Sequence, residues 1–188
     1  AGMLVLPFMG FFYPGNPEEA YVRAYETAFF DIGYAREATA LLSAAQSLAM
    51  IGCEPDFVIE EILNLDPLSL GGSFGKPYVI ASLPDFLLDA KSLTGVDLAK
   101  YLSKRLSHYN VFDPFRAIVI ALLVSRVHSD DPWLALQVAV NQWDLRQNGS
   151  PSRFADVDCY ASITGSLLGA FCGSDSLPLQ QVEEVLKS

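Results

Sequence analysis

Asp156 and Asp158 are the residues whose type and spacing most directly offer chemistry in this chain. They open a run that continues Cys159-Tyr160-Ala161-Ser162-Ile163-Thr164-Gly165-Ser166-Leu167-Leu168-Gly169-Ala170-Phe171-Cys172-Gly173, in which Ala161, Gly165, Gly169 and Gly173 recur at every fourth position. At that spacing the small residues share one helical face, along which a second helix can approach the backbone closely. Two aspartates one residue apart diverge within a helix but can converge on one ion in the irregular turn that begins it. A pair of carboxylates suits a hard cation such as Mg²⁺, which takes oxygen ligands and keeps several waters. A plainer role fits the same residues. An aspartate at a helix start accepts backbone N–H bonds and sits favourably at the positive end of the helix dipole.

The elements that must position this run read as helices. Asn16 as cap, Pro17 in the first helical position and Glu18 and Glu19 in the first turn predict a helix from residue 17 to about 31, with Ala20, Ala24, Tyr25, Ala28 and Phe29 on its apolar face. An alanine-rich helix over 34–51 follows, stopped by Gly52. A third covers 55–65, with Phe57, Ile59, Ile62 and Leu63 on its core side, and shorter ones span 85–93 and 96–109. Asp113-Pro114 starts a helix whose centre, Ala117 to Val124, is apolar nearly all round and is the expected core helix. Asp130-Asp131-Pro132 caps another that is predicted to reach Gln147, with Leu134, Leu136, Val138, Ala139 and Val140 inside. A last helix covers 178–187. Gly71-Gly72-Ser73-Phe74-Gly75-Lys76 lacks the spacing of a phosphate-binding loop and reads as a plain connection, as does Asn148-Gly149-Ser150-Pro151-Ser152. His108 and His128 lie near helix ends and read as structural.

Composition narrows the function. With 188 residues, 51% of them hydrophobic, the chain can bury one good core and does not require two domains. A net charge of −10 with only 12 Lys and Arg argues against a nucleic-acid binder. The longest apolar run is too short to span a membrane, and the opening Ala1-Gly2-Met3-Leu4-Val5-Leu6-Pro7 has no basic leader, so a soluble, cytoplasmic protein is expected. Cys53, Cys159 and Cys172 form an odd set without a Cys-x-x-Cys pair, which fits a reducing compartment and gives little support for zinc. The apolar opening, with no polar cap ahead of it, suggests that a further segment packs against it.

The Asp-x-Asp-Cys motif followed by Ile163-Thr164-Gly165-Ser166-Leu167-Leu168-Gly169-Ala170 closely resembles the C-terminal metal motif of the ADP-ribosylglycohydrolase family, in which Asp-x-Asp-Thr or Asp-x-Asp-Cys opens a Gly-rich helix. The Pro14-Gly15-Asn16-Pro17 turn resembles one that lies in mid-chain in that family and in its lens-crystallin-like branch. The resemblance implies an all-α fold, a compact orthogonal multi-helix bundle lacking the N-terminal part, with residues 1–188 forming a single domain. It implies Asp156 and Asp158 as metal ligands, Mg²⁺ as cofactor, two ions in the complete site, and ADP-ribose or an ADP-ribosylated substrate as partner. It gives Gly2, Met3, Asp31 and Tyr34 as substrate-binding residues; the last two occupy a turn where many family members carry a His. The implied reaction is hydrolysis of an N- or O-glycosidic bond at the ribose C1″, with the metal orienting hydroxyls and polarising a water. Cys159 stands where a Thr can add a hydroxyl ligand, and a soft thiol is a poor Mg²⁺ partner. Trp143-Asp144 precedes the motif more closely in the crystallin-like branch, which makes Asp144 an alternative ligand. The family's other ligands come from an upstream half that these residues do not contain. Two readings follow: the rear part of a hydrolase, or a non-catalytic relative that binds an ADP-ribose-like ligand or a protein partner, or that serves structurally.

Overall fold

The computed structural model describes residues 2–87, 92–173 and 176–187, and it is helical apart from one small hairpin. Two short turns of helix, α1 (Gly2–Val5) and α2 (Met9–Phe12), lead into α3 (Pro17–Thr27), α4 (Tyr34–Ala49) and α5 (Pro55–Ile62). After a 3₁₀ turn at Gly72–Phe74 come α6 (Tyr78–Ser82), α7 (Pro84–Leu87), α8 (Gly95–Arg105), α9 (Pro114–His128) and α10 (Pro132–Val140). Strands β1 (Trp143–Leu145) and β2 (Pro151–Phe154) precede α11 (Val157–Cys172) and α12 (Leu179–Leu186). No described helix is long and apolar enough to cross a membrane.

The start signals act as their chemistry dictates. Asn16 Oδ1 accepts from the Glu19 N–H at 3.2 Å, Asp113 Oδ1 from Phe115 at 2.9 Å and Asp131 Oδ1 from Leu134 at 2.9 Å. Helix α9 is buried from Phe115 through Ser125 and forms the core with α4, which is buried from Glu37 through Ala49. Around this pair, α3 packs on α4, α11 on both α9 and α4, and α10 bridges α9, α11 and α8. The alanines of α4 permit this crowding, since a helix enclosed on several sides needs small residues on each.

Several expectations are corrected. Helix α10 ends at Val140, not Gln147, because the Asn141 and Gln142 side-chain amides donate to the Gln137 and Val138 carbonyls at 2.7 and 2.9 Å and cover the last turn. The chain then reverses as an antiparallel hairpin held by Trp143 stacked on Phe154, ring centroids 4.2 Å apart, and by Asp144 paired with Arg153 at 3.2 Å. On α5, Val58 takes the buried place expected of Phe57, which is exposed, and on the first long helix Tyr21 is buried while Phe29 lies 78% exposed beyond its end. Of the expected apolar side of α10, Val138 and Ala139 are buried with Ala135, and Val140 is exposed. Residues 88–91 of the expected 85–93 helix lie outside the described residues. The small-residue face of α11 is used for close approach at Gly165, where an added Cβ would lie 3.3 Å from Leu136 Cδ2; at Gly169 it would meet nothing within 4 Å.

Side chains on α4 seat the elements beside it. Ser43 Oγ donates to the Leu6 carbonyl at 3.1 Å, and Gly10 lets α2 lie directly on the Ser43 backbone. The buried Glu37 carboxylate accepts from the Val79 and Ile80 N–H groups at 2.9 and 3.1 Å, capping α6 from a distance; burial holds this carboxyl above its usual range against the pull of those two bonds.

His128 gives the fold a pH dependence. Its Nε2 accepts from the Gly95 N–H at 3.1 Å, tying the start of α8 to the end of α9, and burial pushes the imidazole below its ordinary value against the opposing charges of Asp130 and Asp131. A depressed pKa means that the neutral ring's contribution is complete above the unfolded value of about 6.5 and is lost as pH falls through the folded value. Thermal unfolding from pH 8 to pH 5 is therefore expected to show stability declining on the acid side. Changing His128→Gln, which cannot charge, should flatten that decline.

Candidate metal centre

The start of α11 differs from the other helix starts. Asp156 occupies the N-cap position, yet its side chain makes no capping hydrogen bond. It lines a cleft of about 220 Å³ whose walls come from four segments: Met3 and Leu4 of α1, Asp31 and Ala35 at the entry to α4, Phe112, Asp113 and Ala117 around the start of α9, and Asp156, Cys159, Tyr160 and Ile163 of α11. Asp158 is exposed in the first turn of α11, and the Asp156, Asp158 and Cys159 ligand atoms all lie within 4.8 Å of one another. Among the described residues this is the group of three or more His, Cys, Asp or Glu side chains spaced to hold a metal ion.

Two further carboxylates face the cleft while committed to neighbours. Asp31 Oδ1 accepts from the Gly2 N–H at 3.2 Å and Oδ2 from Thr39 Oγ1 at 2.9 Å. The approach is so close that a Cβ on Gly2 would lie 2.1 Å from Asp31 Oδ2, so position 2 admits only glycine while this contact stands. Asp113 divides its carboxylate, Oδ1 capping α9 and Oδ2 accepting from Tyr34 Oη at 2.8 Å. Burial and this bond raise the Tyr34 phenol to about 12, so it stays protonated and donating. Burial, followed by a hydrogen bond to Asp156, pushes the Cys159 thiol up to about 11, which keeps it protonated at neutral pH.

Behind the cleft, Tyr160 is buried and its hydroxyl donates to the Val111 carbonyl. The fully buried Arg116 lies over the Tyr160 ring, Cζ 5.9 Å from the centroid, and donates from Nη2 to the Trp143 carbonyl at 2.8 Å. These bonds link the hairpin, the start of α9 and the first turn of α11.

Most of the residues singled out in the sequence thus come together. Met3, Asp31 and Asp156 line one cleft, and an exposed Asp158 carboxylate oxygen lies within 4.8 Å of the Asp156 carboxylate. Gly2 enters through Asp31 and Tyr34 through Asp113. Tyr34 itself faces an adjoining open cleft of about 520 Å³, shared with Asp31, Tyr25, Arg36 and Tyr78. Asp144 does not join the group; its carboxylate pairs with Arg153 on the hairpin. Sequence reasoning missed Asp113 and Tyr160 as site residues. Asp113 read as a cap, and nothing in an Asp-Pro pair reveals what the second carboxylate oxygen does.

The architecture defines a class: an all-helical protein with a carboxylate-lined cleft at the start of a glycine-rich helix. The profile of the ADP-ribosylglycohydrolase family matches residues 1–187, and the chain belongs to that family. Comparison with curated proteins and with solved structures gave no significant match.

Proposed function

We propose that this protein carries the C-terminal half of an Mg²⁺-dependent site that hydrolyses the glycosidic bond of ADP-ribose, with Asp156 and Asp158 as metal ligands. The observation that carries this reading is the Asp156 carboxylate, which stands at a helix start without capping it and faces a cleft beside Asp31 and Asp113. Two carboxylates within reach of one ion suit Mg²⁺. When bound, such an ion lowers the pKa of a water and draws charge from a reacting oxygen. The chain's own residues have separate tasks. Asp31, fixed by Gly2 and Thr39, and Asp113, fixed by Tyr34, present acceptors for ribose hydroxyls. Tyr34 and Tyr78 bring aromatic rings to the adjoining cleft. At about 220 Å³ the acidic cleft is smaller than the ~300–1,000 Å³ typical of ligand pockets, so a nucleotide sugar would use both clefts, which meet at Asp31. A cation between the carboxylates and a diphosphate also reconciles an anionic ligand with a protein of net charge −10.

The donors within 4.8 Å of one another are few for a catalytic Mg²⁺ centre, and exposed apolar residues border this face, Leu4 and Val5 on α1 and Phe30 and Ile32 beside Asp31. Both observations support an upstream half of the same fold as the partner that supplies further ligands. The thiol of Cys159 favours a second reading, a non-catalytic relative that binds an ADP-ribose-like ligand or a protein partner, or serves structurally.

Calorimetric titration with ADP-ribose, in millimolar Mg²⁺ and again in EDTA, tests the shared core of both ligand-binding readings. Binding at least tenfold tighter with Mg²⁺ is expected; equal affinity in the two conditions would remove the metal from the account.

A further inference from the structure

The residues beside the two carboxylates do not all suit the cation that the family implies. Mg²⁺ takes oxygen ligands in near-ideal octahedral geometry, whereas the atom completing the Asp156–Asp158 group is sulfur. We propose that Cys159 makes this centre a site where a thiophilic divalent cation, Zn²⁺ foremost, competes with Mg²⁺ and displaces it. The inference rests on the metal reading above and adds which cation the donor set selects.

Three observations carry it. Asp156 Oδ, Asp158 Oδ and Cys159 Sγ lie within 4.8 Å of one another, and bonds of ~2.0–2.3 Å to one tetrahedral Zn²⁺ would draw them about 1 Å closer together. Asp156 and Cys159 both line the cleft wall, and Asp156 is not held by a capping bond. The other cleft carboxylates, Asp31 and Asp113, are engaged with Gly2, Thr39, Tyr34 and the Phe115 N–H, so the nearest third donor is the thiol and not a third carboxylate. Two carboxylate oxygens and one thiolate leave a fourth tetrahedral position for water, the open arrangement that Zn²⁺ accepts and Mg²⁺ does not. On coordination the thiol proton passes to solvent and the sulfur binds as thiolate.

Preference for Zn²⁺ over Mg²⁺ alone would not identify the sulfur, because most mixed-donor sites share it. The test therefore reads the sulfur directly. Co²⁺ is titrated into the whole chain as a spectroscopic stand-in for Zn²⁺, and Zn²⁺ and Mg²⁺ affinities are measured calorimetrically. The wild type, Cys159→Thr, Cys159→Ser and, as control, Cys172→Ser are compared. Cys172 lies at the other end of α11, its thiol donating to the Ser129 carbonyl. The expected result is one equivalent of Co²⁺ with a sulfur-to-cobalt charge-transfer band in the wild type and in Cys172→Ser. The band should vanish in both Cys159 variants, with the Zn²⁺-to-Mg²⁺ affinity ratio falling about tenfold to a hundredfold. Cation binding without the band, with the ratio unchanged in either folded Cys159 variant, would overturn the proposal and leave the Mg²⁺ reading intact. Failure of every cation to bind would overturn both.

Discussion

Changing Asp156→Asn is expected to weaken Mg²⁺-dependent ADP-ribose binding about a hundredfold while moving the melting temperature by no more than about 2 °C. The two parts of this result have separate causes. A carboxylate that ligates a cation loses its charge in the amide, and an Mg²⁺ site with few protein donors cannot spare one. The same side chain makes no capping bond to α11, so the helix start loses only the small attraction between that charge and the helix dipole. Asp131 gives the contrast. Its Oδ1 caps α10, and Asp131→Ala should cost about 1 kcal/mol of stability with no effect on ligand affinity. Calorimetry with thermal unfolding of both variants distinguishes a metal ligand from a cap, the two roles open to an aspartate before a helix.

Gly10→Ala is expected to be the most damaging small substitution, lowering stability by about 3 kcal/mol and the melting temperature by roughly 6–12 °C. An added Cβ would lie 2.4 Å from the Ser43 carbonyl oxygen and 2.8 Å from both the Ser47 nitrogen and Gln46 Cβ. Two of these are backbone atoms of the core helix α4 and cannot yield, so α2 must lift away. The Ser43 bond to Leu6 and the contact between the Gly15 N–H and the Ser47 carbonyl at 2.9 Å would be disturbed with it. Since α1 carries Met3 and Leu4 on the cleft wall, ligand binding should weaken in parallel. Gly169→Ala provides the opposite sign. It sits at the start of the last turn of α11 with nothing within 4 Å of the new Cβ, and the gain in helix propensity should stabilise the protein by about 0.5 kcal/mol. Chemical denaturation of the two variants measures both effects.

What was legible in the sequence was local chemistry. The Asn16, Asp113 and Asp131 caps, the all-round apolar run that became α9 and the alanine-rich α4 each follow from signals within a few residues, and each formed. The Asp156–Asp158 pair was legible as a motif, although spacing could not separate ligand from cap; the absent capping bond of Asp156 supports the proposed ligand role. Less legible was whatever depends on partners distant in the chain. The hairpin at 143–154 forms because Trp143 and Arg153 find Phe154 and Asp144 across a turn, and it draws the chain away just past the end of α10, which Asn141 and Gln142 close locally with their own amides. Helical periodicity alone ran through that end. Asp113 escaped notice as a site residue because Tyr34, which takes its second oxygen, lies 79 positions away. Phe57 and Val58 exchanged roles for a similar reason, since both continue an apolar pattern and only the packing around α5 decides which one turns inward.

The most direct test of the proposed metal centre is a titration with Mn²⁺, a paramagnetic substitute for Mg²⁺, read by methyl NMR. Met3, Ala35, Ala117 and Ile163 all line the acidic cleft and supply methyl groups from four separate elements. The account predicts that substoichiometric Mn²⁺ broadens these four together, that ADP-ribose strengthens the effect, and that Asp156→Asn abolishes it. Broadening centred on Leu134, beside the Asp130-Asp131 pair, or no selective broadening at all, would contradict a cation site at the start of α11.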